Sequence, residues 1–410
     1  MPLKAFCLAV LPAAMALYAE WRPWAPRPEI APKVSQQAGA LIVESAGNAA
    51  AFGGWEEVRE GVTPGRWYRL SASYRAVGLD AEWKQVWARL DWATAEGKRA
   101  GQPEYAYRIS PNREITIEAP APEKAAKVRI QLLLVNAHRG RLEFRGVRFD
   151  AIEAPAARPV TVAAVRYRAA QQPSAEANVA RFLEAAAAKL PAKTDLVLFP
   201  EGMTLVGTGK TYLDVAEPVP GPTTLALAEF ARRRNSWVAA GLLERDGGAV
   251  YNTAVLIGRN GQLAGKYRKV YLPREEMEGG LTPGASYPVF DTDFGKVGMM
   301  ICWDVQYADP ARALAIQGAE IILMPIWGGS QLLGRARALE NHVFLVSSGY
   351  DYPSAVVDPM GEILTSTEEQ GSVAVATIDL NRRYADPWLG HMRGRFFKEL
   401  RLDVEAPRPR

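Results

Sequence analysis

Hydrophobic and polar positions follow two different rhythms along the chain. Between residues 40 and 152 the apolar runs are short, as at Trp67–Tyr74, Gln85–Trp92, Ile115–Ile117 and Val128–Val135, and Gly, Pro or Asn separates them. RWYRLSASY and RLEFRGVRF alternate residue by residue, which predicts strands with one buried face and, at this spacing, an antiparallel sandwich. From Val160 strand and helix patterns alternate. VTVAAVRY predicts a strand, Ser174 can cap a helix over AEANVARFLEAAAAKL, and DLVLFP predicts a buried strand ending in Pro200 and Glu201. Leu225–Arg233, Ala308–Gly318 and Leu333–Glu340 have helical spacing, WVAAGLLE and AVYNTAVLIG read as strands, and SAVVDP and SVAVATIDL as a late antiparallel pair. This alternation predicts an α/β domain with a large central sheet.

At 410 residues the chain is long enough for two domains. Residues 1–19 carry one lysine, an apolar stretch broken by Pro12, and small residues at Ala14, Ala16 and Ala19. That is the pattern of a secretory signal, with a retained N-terminal anchor as the alternative, and it predicts an exported protein. Residues 20–39 are proline-rich and read as a tether or extended strap. The sandwich then covers 40–152, a linker 153–159, and the α/β domain 160–385. A basic, aromatic tail over 386–410 either covers a neighbouring subunit or frays.

Composition narrows the function classes. The net charge of +4 comes from 49 basic residues interleaved with 45 acidic ones, so nucleic acid is not the expected partner. Three scattered histidines, His138, His342 and His391, show no short spacing to a cysteine, so no zinc site and no cofactor are expected. His342 lies in apolar ALENHVFLV and reads as structural rather than as the base of a Cys–His pair.

The cysteines are Cys7, inside the signal pattern, and Cys302. Cys302 ends the apolar run Val297–Ile301 where a turn leads toward a helix, within Lys296–Pro325. Free N–H groups at a helix start can stabilise a thiolate and bind an oxyanion, which makes Cys302 a candidate nucleophile; a small buried hydrophobe is the bland alternative. Glu201 follows LVLFP and Lys269 lies in GKYRKVYLP after a strand. Residues at such strand ends can converge, since ligands gather outside the carboxyl ends of strands in α/β sheets. Glu201 could take the thiol proton and later activate water; Lys269 could lower the thiol pKa and, with the Trp303 backbone N–H, hold the developing oxyanion. Trp327 could wall an acyl pocket or be a packed loop aromatic, and Arg312 could pair with Asp304 or Asp309 as scaffold.

FPEGMTL, KYRKVYLP and GMMICWDVQYADPARALAIQGAEIILMP resemble, in this order, the three signature segments of the nitrilase superfamily of carbon–nitrogen hydrolases. YNTAVLIGRNG, LTPG, RARALENHVFLVSSGYD and DPMGEIL extend the likeness over about 160–380. The resemblance implies a four-layer α-β-β-α fold, self-association through its α faces, and a catalytic triad on Glu201, Lys269 and Cys302. It also implies a second glutamate, for which Glu275, Glu276 and Glu278 compete; Glu276, seven residues after the lysine, is favoured, with Glu278 close behind. Asp304 in CWD resembles the amidase and carbamoylase branches. The implied function is hydrolysis of a linear amide or N-carbamoyl compound through a cysteine thioester. Acyl transfer to an amine, nitrile hydrolysis, and a silent hydrolase domain beside a binding module are the alternatives. The N-terminal region looks like the jelly-roll carbohydrate-binding modules found beside glycosidases. That likeness implies a glycan partner, with Trp55, Trp67, Trp83, Trp87 and Trp92 either stacking on sugars or, for most of them, forming core.

Overall fold

A computed structural model describes residues 20–107 and 112–404. The expected signal segment, with Cys7, and residues 405–410 of the expected tail lie outside these. The described residues divide into two compact units, those within Met1–Ala154, Trp388–Gly390 and Phe397–Arg410, and those within Pro155–Pro387 and His391–Phe396.

The first unit is an antiparallel sandwich of two five-stranded sheets. One runs in the order Arg22–Trp24, Phe52–Glu60, Lys127–Val135, Val86–Ala93, Glu104–Tyr105; the other runs Lys33–Gln37, Ala40–Glu44, Arg141–Ile152, Trp67–Val77, Glu114–Pro120. In Trp67–Val77 the side chains of Tyr68, Leu70, Ala72 and Tyr74 point inward and those between them outward, the two-residue period expected of a half-buried strand. Residues 20–39 are extended but do not form a free tether. Arg22–Trp24 pairs with Phe52–Glu60, and Lys33–Gln37 forms a hairpin with Ala40–Glu44 through Ala38-Gly39. Pro23 is tolerated because its strand is at the sheet edge, where a missing N–H breaks no inner ladder. Trp55 and Trp92 are core; Trp67 and Trp87 are half-buried and Trp83 is exposed. Trp87 meets Phe52 and Tyr105 edge to face, and Phe52 in turn meets Trp24.

The second unit has two six-stranded sheets. The first runs Leu263–Arg268, Ala249–Ile257, Trp237–Asp246, Leu196–Leu198, Pro159–Arg166, Ser372–Asp379; the second runs Val289–Asp291, Lys296–Met299, Ile321–Gly328, Phe344–Asp351, Ser354–Val357, Ile363–Thr367. The sheets pack face to face, with helices Ala175–Lys189 and Pro222–Arg234 outside the first and Asp309–Ile316 and Gln331–Asn341 outside the second. The result is the four-layer α-β-β-α sandwich. Ser174 caps the first of these helices by accepting from the Ala177 N–H at 3.2 Å. The late antiparallel pair does not form. Asp358-Pro-Met-Gly361 makes a turn, closed by the Gly361 N–H to Asp358 O at 2.9 Å, so Ser354–Val357 pairs with Ile363–Thr367. Ser372–Asp379 crosses to the other sheet and pairs along all eight residues of Pro159–Arg166.

Within the expected tail, Met392–Glu399 is helical. His342 caps helix Gln331–Asn341 in the left-handed conformation and packs edge-on against Phe396 at 5.8 Å. Arg312 reaches neither Asp304 nor Asp309; it donates to Asn341 Oδ1 at 2.6 Å and stacks over Phe396, because its helix turns it toward Gln331–Asn341.

One buried polar contact anchors the segment after Glu201. Asn178 is fully buried on helix Ala175–Lys189 and donates to Met203 O at 2.9 Å and Val206 O at 2.6 Å. Replacing it with alanine strands two buried carbonyls, so Asn178→Ala is expected to lower the unfolding free energy by about 2 kcal/mol, read by urea denaturation.

Candidate active site

Each site residue is set by the strand that precedes it. The fully buried strand Leu196–Leu198 leads through Phe199 and Pro200 to Glu201, whose backbone lies against Gly241. A Cβ at Gly241 would come within 2.6 Å of the Glu201 Cα, so only glycine allows this approach. The Glu201 carbonyl accepts from the Tyr350 hydroxyl at 2.8 Å. Lys269 follows Leu263–Arg268 and is tied by its N–H to Asn252 O at 2.9 Å and by its carbonyl to the Gly284 N–H at 2.8 Å. Glu276 lies on the short helix Arg274–Glu278 and is buried, whereas Glu275 and Glu278 are exposed and Glu278 pairs with Arg274 at 2.8 Å.

The structure brings Glu201, Lys269 and Glu276 into direct contact. The Lys269 ammonium, 1% exposed, donates to Glu201 Oε1 at 3.0 Å and to Glu276 Oε1 at 2.7 Å. Asn252 Nδ2 donates to the same two oxygens, at 2.7 and 3.0 Å. Glu201 Oε2, Glu276 Oε2 and Asn252 Oδ1 are buried without a hydrogen-bond partner. Burial alone would drive the lysine neutral, but Glu201, then Cys302 and Glu276, offset it and hold Lys269 firmly protonated. Burial pushes the Glu276 carboxyl up; Lys269 opposes this and Glu201 adds to it.

Cys302 lies within electrostatic reach of both Glu201 and Lys269. Its φ of +43° is in the left-handed region, a strained position for a residue with a side chain. Its Sγ lies 3.8 Å from Gly328 O, at the end of strand Ile321–Gly328. Two points bear on the expected thiolate here. The α-helix begins at Asp309, as its spacing predicts, so Cys302 is not at a helix start; it opens a 3₁₀ turn, Cys302–Gln306. The thiol pKa is also raised, to about 12, because burial and then Glu201 outweigh Lys269 and the backbone of Trp327 and Gly328. At neutral pH the resting group is therefore a thiol. Trp303, next in the chain, is 38% exposed; Trp327 is half-buried against Tyr350 at 5.0 Å and under the Arg168 guanidinium at 5.5 Å.

Sequence reasoning passed over Asn252 and gave Asp304 the wrong partner. Asn252 and Thr253 are a polar pair inside the apolar run AVYNTAVLIG, and that interruption was the available signal. Asp304 is fully buried and accepts from the Ile301 N–H at 2.8 Å, the Tyr271 N–H at 2.9 Å and the Tyr267 hydroxyl at 2.7 Å. It thereby ties the turn holding Cys302 to the segment holding Lys269. Asp304→Ala is expected to lower kcat/KM by about 100-fold, while Tyr267→Phe, which removes one donor of three, should cost no more than about tenfold; steady-state kinetics of both variants checks this.

Residues 161–387, more than half of the chain, match the family described as Carbon-nitrogen hydrolase. The omega-amidase NIT2 of Mus musculus is 33% identical over 201 residues, 42% of this chain and 73% of that protein. A protein named nitrilase from Pyrococcus abyssi is 36% identical over 217 residues, 47% of this chain and 80% of that one. The crystal structure of Saccharomyces cerevisiae Nit3, a member of branch 10 of the nitrilase superfamily, superposes with a TM-score of 0.49 and 25% identity, covering 54% of this chain and 90% of that one. With its four layers and its Glu–Lys–Glu cluster beside a cysteine, the chain belongs to the nitrilase superfamily of carbon–nitrogen hydrolases.

Proposed function

We propose that the second unit hydrolyses a linear primary amide through a thioester on Cys302. The observation that carries this is a buried ammonium shared by two carboxylates beside a buried thiol whose pKa burial and Glu201 raise. A thiol in that state needs a base at the moment of attack, and Glu201 is the carboxylate whose field reaches it most strongly. In the first half-reaction the Cys302 S–H proton passes to Glu201 while the sulfur bonds to the amide carbon. Charge develops on the carbonyl oxygen, where the Lys269 ammonium and the Trp303 N–H would receive it. The C–N bond then breaks, Glu201 returns the proton to the nitrogen, and ammonia leaves. In the second half, Glu201 takes a proton from water, the hydroxide adds to the thioester, and the C–S bond breaks to release the acid and restore the thiol.

The orphaned acceptors favour an amide over a nitrile. Glu201 Oε2, Glu276 Oε2 and Asn252 Oδ1 lack donors, and an amide –NH2 brings two, whereas a nitrile nitrogen brings none. The name omega-amidase of the Mus musculus relative supports the same reading. Acyl transfer to an added amine would share the first half-reaction and is separated from hydrolysis by product analysis.

Cys302→Ala is expected to abolish turnover of every amide in a panel of primary amides, N-carbamoyl amino acids and nitriles, with the fold intact by circular dichroism. Glu201→Gln should lower kcat by about 10³-fold, and mass spectrometry of the wild-type chain quenched during turnover should place one acyl adduct on Cys302. Activity located on another residue would refute the assignment. The pH profile follows from the same groups. Because Glu276 is raised, the acid limb of kcat/KM is expected above the ordinary glutamate value, with activity lost as pH falls and the carboxylate pair gains a proton. Because the thiol is raised to about 12, no step in rate from thiol ionisation is expected between neutral pH and about pH 10.

A further inference from the structure

We propose that Asn252 is a positioning residue of this site, holding Glu201 and Glu276 as one unit on a neutral donor so that each keeps an oxygen free for the substrate. The inference rests on the thioester reading above.

Asn252 lies inside strand Ala249–Ile257, opposite Leu243 of the neighbouring strand. Three of its interactions converge on the site. Its carbonyl accepts from the Lys269 N–H at 2.9 Å, and its Nδ2 donates to Glu201 Oε1 at 2.7 Å and Glu276 Oε1 at 3.0 Å. Lys269 Nζ donates to the same two oxygens. The four atoms close a ring in which donors and acceptors alternate. Two carboxylate contacts also fix the orientation of the amide, because turning it over would aim its oxygen at both glutamates.

The charge balance explains why the second donor is an amide. One ammonium between two carboxylates leaves one negative charge uncompensated, so the glutamates repel each other across a buried site. A second cation would remove the repulsion but would also hold both carboxylates ionised and weaken them as bases. A neutral –NH2 supplies one hydrogen to each and leaves the net charge in place. The other ionisable groups facing the pair are Cys302, Tyr212 and Tyr350, and Asp304 also interacts with Lys269; among these, Lys269 is the only cation. Asn252 thus supplies the hydrogen bonds that keep the carboxylates together without neutralising them.

The test uses the full chain and iodoacetamide, so no knowledge of the natural substrate is needed. The rate of Cys302 alkylation is followed by mass spectrometry from pH 4 to pH 9 for the wild type, Asn252→Ala, Glu276→Gln and the double variant. Asn252→Ala is expected to slow alkylation at neutral pH by about tenfold and to move the acid limb to higher pH, since the unbridged carboxylates hold a proton more strongly. In the Glu276→Gln background, where the repulsion is gone, the same change should move the limb little. Should Asn252→Ala fail to fold, Asn252→Asp keeps the shape, replaces the donor with a third acidic group, and is expected to move the limb further in the same direction. An unchanged limb in a folded Asn252 variant, or an equal shift with and without Glu276, overturns the proposal. If the wild type forms no acyl adduct on Cys302 with any amide, the thioester reading has failed and this inference falls with it. If it forms one and the limb stays in place, this inference alone has failed.

Discussion

The structure of the hydrolase unit depends on keeping one ammonium charged where water does not reach it. Lys269 is buried between two sheets, and an isolated charge there would cost several kcal/mol. Two glutamates, one from the turn after Leu196–Leu198 and one from helix Arg274–Glu278, meet that cost, and each must arrive with its oxygen within hydrogen-bond distance. Much of the surrounding architecture serves this requirement. Gly241 lets the Glu201 backbone lie on the neighbouring strand, Asn252 donates to the same oxygen of each glutamate that Lys269 holds, and Tyr350 fixes the Glu201 carbonyl.

The same field acts on Cys302. A thiol beside a lone lysine would ionise readily, but here Glu201 adds its charge to the effect of burial and the proton stays on sulfur. In the proposed reaction, proton removal would then be coupled to attack on a carbonyl. Strain is stored at the same point, since Cys302 has φ +43° at the end of a buried strand. Asp304 meets part of that strain, fastening the turn through three buried hydrogen bonds to both sides of the site.

The first unit shows a different solution to burial. Its strands are short and alternate, its core is set by Leu70, Leu90, Trp92, Ile130, Leu132 and Phe144, and its proline-rich start is used as edge strand instead of spacer. Composition could not reveal that use, because a proline-rich segment reads the same whether it is solvated or lying along a sheet edge.

What the amino-acid sequence determined by itself was local and periodic. The two rhythms separated a β-sandwich from an α/β unit, and three ordered segments put Glu201, Lys269 and Cys302 at strand ends. Among three neighbouring glutamates Glu276 was the favoured one, and it is the one the short helix buries. Only the tertiary structure decided the rest. Strand partners depended on turns and sheet edges, so Ser372–Asp379 left its chain neighbour for the other sheet. The thiol's protonation depended on a balance of burial and fields from residues far apart in sequence. The role of Asn252 depended on two carboxylates and a lysine arriving at one place, and hydrogen bonds between distant residues leave no period in a sequence to read.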